Sequence, residues 1–89
     1  MSCVYRWGAQ VESVAVDEEW LVMDPENMSM TKLEDVAAFI WSRLQMPCTI
    51  DALVSRVVVE FDVSRAQAES DVVQFLNELQ GMGLVERND

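Results

Sequence analysis

The chain has 89 residues, of which 51% are apolar, and a formal net charge of −10 from 16 acidic and six basic residues. This length has room for one domain only, spanning residues 1–89. The basic residues are scattered, whereas nucleic-acid binding needs a basic surface that releases counterions from phosphates. Nucleic acid and anionic membrane are therefore not expected as partners.

No apolar stretch approaches the roughly 20 residues that cross a bilayer. The first residues lack the basic and apolar regions of a secretory signal, which favours a cytoplasmic location. In a reducing compartment Cys3 and Cys48 are expected to remain thiols. Two cysteines without any histidine do not make a tetrahedral metal site, so no metal or other cofactor is expected.

The N-terminal part of the chain predicts strands. A lead-in with the aromatic residues Tyr5 and Trp7 comes first. Short β-branched and apolar segments, separated by polar turns, then predict strands over residues 11–16, 20–23 and 28–33.

The remainder predicts three helices. Apolar residues spaced i, i+3, i+4 and i+7 from Ala37 indicate a first helix over residues 35–46, which Pro47 ends. Thr49 is suited to cap the second helix. Residues 64–67 (Ser-Arg-Ala-Gln) have the form of a capping box at the start of the third.

Three strands followed by three helices indicate an α+β fold: a three-stranded antiparallel sheet followed by a three-helix bundle, in a winged-helix-like arrangement. Three helices cover only one face of such a sheet. Residues 20–23 (Trp-Leu-Val-Met) nevertheless place apolar side chains on both faces. We expect the second face to pack under Tyr5 and Trp7, or to dock a partner enzyme or a second copy of the chain.

No catalytic constellation is present in the sequence. Without histidine there is no Ser–His or Cys–His pair. Cys48 follows Pro47 with no adjacent cation to stabilise a thiolate, so inert packing is expected. The acidic run at residues 17–19 is typical of a solvated turn rather than a calcium loop. The chain is therefore not expected to be an enzyme.

Three segments carry a family resemblance. Residues 32–41 (Lys-Leu-Glu-Asp-Val-Ala-Ala-Phe-Ile-Trp) resemble the strand-to-helix junction of PqqD-like proteins. Residues 49–54 (Thr-Ile-Asp-Ala-Leu-Val) resemble the second helix of that family. Residues 71–79, followed by Gly-Leu-Val at 83–85, are similar to its C-terminal end. The chain departs from the family at Glu34, where asparagine is usual.

The resemblance implies a recognition element for the leader of a ribosomally synthesised, later modified precursor peptide. Such domains bind the leader as an added strand beside their third strand, in a groove next to the third helix. They present the precursor to a modifying enzyme, such as a radical-SAM enzyme or a leader protease and cyclase.

Residues 28–33 fit this mechanism as an edge strand, because they end the meander, contain no proline and carry one charge. Residues on one flank of the third helix are expected to line the groove. The predicted peptide-binding residues are Met28, Ser29, Met30, Thr31, Lys32, Leu33, Arg65, Glu69, Val72, Val73 and Leu76. Met28 and Met30 fit a role as core filling equally well, and Val73 fits partly covered core.

The sequence also admits a second interpretation, a winged-helix-like protein–protein adaptor or transcription-associated domain. The lack of a basic recognition helix counts against direct DNA reading. Whether the chain forms a homodimer is left open.

Overall fold

A computed structural model describes residues 3–88. Its elements are β1 (Val4–Trp7), β2 (Glu12–Val16), β3 (Glu19–Asp24), β4 (Ser29–Leu33), α1 (Asp35–Arg43), β5 (Cys48–Thr49), α2 (Ile50–Phe61), α3 (Arg65–Gly81) and β6 (Val85–Asn88). Strands β2, β3 and β4 form an antiparallel meander. The fold class predicted from the sequence, a three-stranded antiparallel sheet followed by three helices, is confirmed.

The turn between β2 and β3 contains two residues, Asp17 and Glu18, because Val16 pairs with Glu19. The sequence predicted a longer break over residues 17–19. Asp17 has a positive φ of 58°, a conformation that aspartate tolerates better than most residues. Glu19 therefore belongs to β3, which shifts the start of that strand by one residue.

The turn between β3 and β4 is organised by Asp24. One carboxylate oxygen accepts the backbone N–H groups of Glu26 and Asn27, and the other accepts Asn27 Nδ2 at 2.7 Å. These hydrogen bonds, chiefly that from the Asn27 side chain, hold the pKa of Asp24 below its ordinary value. Met28 closes the turn with a φ of 52°, in the left-handed region that methionine rarely adopts.

The helix starts follow the sequence signals. Thr49 Oγ1 accepts Ala52 N–H at 3.1 Å, and Ser64 Oγ accepts Gln67 N–H at 3.1 Å. The Gln67 side chain donates to Asp71 instead of returning to the Ser64 backbone, so the predicted capping box is half formed. Helix α1 ends at Arg43, three residues before the predicted end.

A second, smaller sheet was not predicted from the sequence. It has the order β5-β1-β6, and Tyr5 pairs with Cys48 on one side and with Arg87 on the other. The lead-in and the C-terminal tail are thus paired strands. They escaped prediction because they contain two to four residues each and their partners are distant in sequence.

Trp7 joins the two sheets through α1. Its ring stacks on Trp41 at 5.0 Å and meets Trp20 edge-on at 5.4 Å. Trp7 Nε1 donates to the Trp41 carbonyl at 2.8 Å, and Trp41 Nε1 donates to Ser13 Oγ at 3.2 Å. Buried side chains of both sheets and all three helices form one hydrophobic cluster.

The two faces of the meander differ in cover. Val22 and Leu33 are buried on the face that contacts the helices. On the opposite face, called the outer face here, several side chains are 41–59% exposed: those of Val14, Val16, Met23 and Met30. The expectation that Tyr5 and Trp7 cover this second face is wrong, because Trp7 packs on Trp20, which lies on the helix side of β3.

Candidate functional site

Strand β4 has one open edge. In the sheet order β2-β3-β4 it lies at the end and pairs, within residues 3–88, with β3 alone. It contains no proline, so each of its residues has an N–H group to donate. An edge of this kind can accept a further strand.

The register identifies the backbone groups that face this edge. A two-residue turn requires that Val16 and Glu19 exchange their hydrogen bonds, because a non-bonded pair could not close it. In a strand, successive residues direct their N–H and C=O groups to opposite sides. Trp20 therefore exchanges backbone hydrogen bonds with Leu33 across the β3–β4 ladder. Thr31 and Ser29, two and four residues earlier in β4, also direct their N–H and C=O groups towards β3. The N–H and C=O groups of Met30 and Lys32 face outwards; we call them the open edge.

The side chains of Met30 and Lys32 belong to the outer face, because they lie opposite Met23 and Leu21. Met30 is 59% exposed. Lys32 lies within 3.4 Å of a Glu19 carboxylate oxygen and 3.6 Å of one of Glu34. These carboxylates, Glu19 foremost, raise the pKa of Lys32.

A groove of about 370 Å³ starts where β4 ends. Its apolar lining comes from α1 and from one residue of α3, and its polar lining from the β4–α1 junction and from α3. The groove residues are Glu34, Asp35, Val36, Ala37, Ile40, Asp71, Gln74, Phe75 and Glu78. Its size lies at the lower end of the range of small-ligand pockets.

Part of the predicted site is core. Val72 is 0% exposed and Leu76 is 1% exposed, so the expectation that they contact a peptide is wrong. Both belong to the α3 stripe that packs on the rest of the domain. Leu33 is also buried, and it contributes to the candidate site through its position in β4 alone.

The other predicted α3 residues lie on a different flank from the groove. Arg65 donates to Asp51 and to Ser55 of α2, at 3.3 Å in each case. Glu69 and Val73 line a second open depression along α3, of about 690 Å³, which adjoins the groove at Gln74 and Glu78 and has no lining residue from β4 or α1. The structure therefore places these three residues outside the groove that starts at the end of β4.

The α3 residues that line the groove were not identified from the sequence. Asp71, Phe75 and Glu78 have i, i+4, i+7 spacing and lie beside the buried stripe on the flank that faces α1. Partial burial of Phe75 and Asp71 marks this flank. In the sequence the signal is an aromatic residue between two carboxylates on one helical face.

Cys48 is not activated. Its thiol donates to the carbonyls of Arg43 and Met46. Burial raises its pKa, although Arg43, a cationic neighbour that the sequence did not indicate, partly offsets this. Among residues 3–88, no cluster of three or more metal-ligating side chains is present. Across the same residues, no helix has both the length and the apolar content to cross a membrane.

An open strand edge beside a groove, on a three-stranded sheet followed by three helices, defines the chain as a small PqqD-like module. The family model described as Coenzyme PQQ synthesis protein D (PqqD) matches residues 19–85. The chain belongs to this family, and the resemblance seen in the sequence is confirmed.

Known relatives agree in extent and fold. A PqqA binding protein of Xanthomonas axonopodis pv. citri (strain 306) is 24% identical over 74 residues, which cover 83% of this chain and 78% of that protein. The structure of TbiB1 in complex with the TbiA(beta) leader peptide superimposes with a TM-score of 0.85 at 26% identity, covering 91% of this chain and 94% of TbiB1. A lasso peptide synthetase B1 complexed with its leader peptide shares the fold, with a TM-score of 0.81 at 22% identity and coverage of 92% and 96%.

Proposed function

We propose that this chain binds the leader region of a ribosomally synthesised precursor peptide as an additional strand on β4 and presents the precursor to a modifying enzyme. The observation that carries the proposal is the open edge at Met30 and Lys32, next to the groove. The similar proteins TbiB1 and lasso peptide synthetase B1 were solved with leader peptides, which supports the same role here.

In strand addition, main-chain hydrogen bonds supply the affinity and side-chain contacts supply the specificity. The N–H and C=O groups of Met30 and Lys32 offer main-chain hydrogen bonds to any extended peptide. The side chains of that peptide alternate between the two faces of the sheet. On the outer face they extend the apolar surface around Met23 and Met30. On the other face they point towards the helices and the groove, where selection takes place.

The proposed role is that of a binding partner without its own catalysis or cofactor. The modifying enzyme, in the terms of the family resemblance a radical-SAM enzyme or a leader protease and cyclase, acts on the part of the precursor that extends beyond β4. The proposal includes the cytoplasmic location expected from the sequence, where the ribosome releases such precursors. The second interpretation, a winged-helix-like protein–protein adaptor or transcription-associated domain, is not favoured, because the similar structures are leader-peptide complexes. Direct DNA reading has no support either, since Arg65, the one basic residue of α3, is paired with Asp51.

Amide hydrogen exchange measured by NMR tests the proposal directly. In the free protein we expect the β3–β4 ladder to protect the N–H groups of Ser29, Thr31 and Leu33, and those of Met30 and Lys32 to exchange rapidly. A saturating precursor leader, taken from a short reading frame beside the gene, is expected to slow exchange at Met30 and Lys32. Binding that leaves these two amides unprotected would rule out strand addition at β4.

A further inference from the structure

The charged side chains that line the groove are all of one sign. Among the residues that line it, every ionisable side chain is a carboxyl group: Glu34, Asp35, Asp71 and Glu78. The surface between them is apolar and comes from Val36, Ala37, Ile40 and Phe75. An extended peptide that enters the groove therefore meets an apolar floor with an acidic rim.

Nearby groups leave most of this negative charge in place. Lys32 lies 3.6 Å from Glu34, but it is shared with Glu19 at 3.4 Å. Asp71 accepts a hydrogen bond from Gln67 Nε2 at 2.9 Å, and this neutral donor does not cancel its charge. The chain as a whole carries a net charge of −10, so the long-range field also repels acidic peptides.

The spacing along α3 sets an order of side chains. With a rise of about 1.5 Å per residue, Phe75 lies roughly 6 Å along the axis from Asp71 and roughly 4.5 Å from Glu78. In an extended peptide, side chains on one face repeat about every 6.6 Å. Where the peptide runs alongside α3, a side chain that packs on Phe75 has its same-face neighbours, two residues away, within reach of these carboxylates.

We infer that the leader segment bound here is basic, with an apolar side chain in the groove and a lysine or arginine two residues away on the same face. This inference rests on the proposed strand addition and specifies the substrate class for it. The acidic rim attracts such a peptide, excludes acidic ones, and gains little from neutral ones.

The test uses a displayed library of random, roughly 12-residue peptides, long enough to pair along the whole of β4. Peptides are sorted for binding to the unaltered chain and counter-sorted against Met30→Pro, which lacks one donor of the open edge. The retained sequences are expected to be enriched in lysine or arginine two residues from an apolar residue. Retained peptides without that enrichment would overturn the inference and leave the proposed function standing. Failure to retain any peptide would count against both.

Two charge reversals on α3 form a matched pair for the retained peptides. Glu78→Lys alters the groove, at a residue that also borders the depression along α3, and Glu69→Lys makes the same charge change in that depression alone. We expect Glu78→Lys to weaken binding about 3- to 10-fold at low salt and Glu69→Lys to weaken it less than about 2-fold, as for partly exposed ion pairs. The difference should shrink at about 1 M salt. Equal effects of the two variants would overturn the inference.

Discussion

The two edges of the meander have the same backbone and different surroundings. At the β2 edge the N–H and C=O groups of Ser13 and Ala15 face outwards, as those of Met30 and Lys32 do at the β4 edge. Beside β4, however, the chain turns directly into α1 and opens the acidic groove. At β2 the Ser13 hydroxyl instead accepts a hydrogen bond from the indole N–H of the buried Trp41.

This difference indicates what turns an open edge into a binding site. Unpaired backbone groups offer the same hydrogen bonds to any extended chain, so they cannot choose between peptides. Side-chain pockets that receive alternate residues of the guest supply the choice. We therefore expect the leader to pair with β4 and not with β2. Substitutions that remove one feature of either edge at a time test this difference.

The largest effect is expected from proline at the open edge. Met30→Pro removes an outward N–H without removing a β3–β4 hydrogen bond, and Ala15→Pro does the same at the β2 edge. The loss of a hydrogen bond and the bulk of the ring should weaken leader binding about 10-fold or more for Met30→Pro. Fluorescence anisotropy with a labelled precursor leader measures this loss.

The β2 variant is the control for that experiment. Ala15→Pro should bind the leader as the unaltered chain does, and circular dichroism should show both variants folded. If Ala15→Pro loses binding and Met30→Pro keeps it, the guest strand occupies the β2 edge. Loss of fold in Met30→Pro alone would mean that its N–H belongs to the ladder, contrary to the register.

A smaller effect, on stability rather than binding, is expected at Ser13. Ser13→Ala removes the acceptor of the Trp41 indole N–H, and Trp41 is fully buried. An unsatisfied buried donor costs about 1–2 kcal/mol of unfolding free energy. Urea denaturation measures this loss, with the exposed Ser70→Ala as a control that should stay within about 0.5 kcal/mol.

Measuring leader affinity shows whether Ser13 serves only the fold or also affects leader binding. If the β2 edge serves only the fold, Ser13→Ala binds the leader with unchanged affinity at temperatures where it stays folded. Weaker binding by the folded variant would show that the two edges are coupled, and would remove the contrast on which the comparison rests.

The sequence predicted the elements whose signals are local. The i, i+3, i+4, i+7 pattern of α1 and the side-chain cap at Thr49 depend on neighbours within one or two turns. Pairing of β1 with β6 depends on contacts such as Tyr5 with Arg87, which no local pattern specifies. The family resemblance supplied the role of the third strand.

The finer geometry of the site depended on two choices that the sequence leaves open. A break over residues 17–19 and a two-residue turn differ by one residue, and that difference decides whether Met30 or Thr31 faces the open edge. Likewise, the buried stripe of α3 has two equivalent flanks in sequence. Only packing against α1 decides that Phe75, and not Val73, lies in the groove.

The smallest effect is expected at Met28, because this residue lies next to the open edge and outside the β3–β4 ladder. It is 89% exposed, with a φ of 52°, a conformation that glycine adopts without the steric penalty of a side chain. Met28→Gly should relieve this strain, offset in part by greater freedom of the unfolded chain, and raise the unfolding free energy by about 0.5 kcal/mol. Met30→Gly, at a position without a positive φ, should lower it. Urea denaturation compares the two.

Because the Met28 side chain contributes little to the fold, any loss of leader affinity in Met28→Gly would come from contact with the guest peptide and would extend the binding surface of β4 into the turn. Unchanged affinity would end that surface at Ser29, and a loss of stability would mean that the exposed methionine packs against the domain after all.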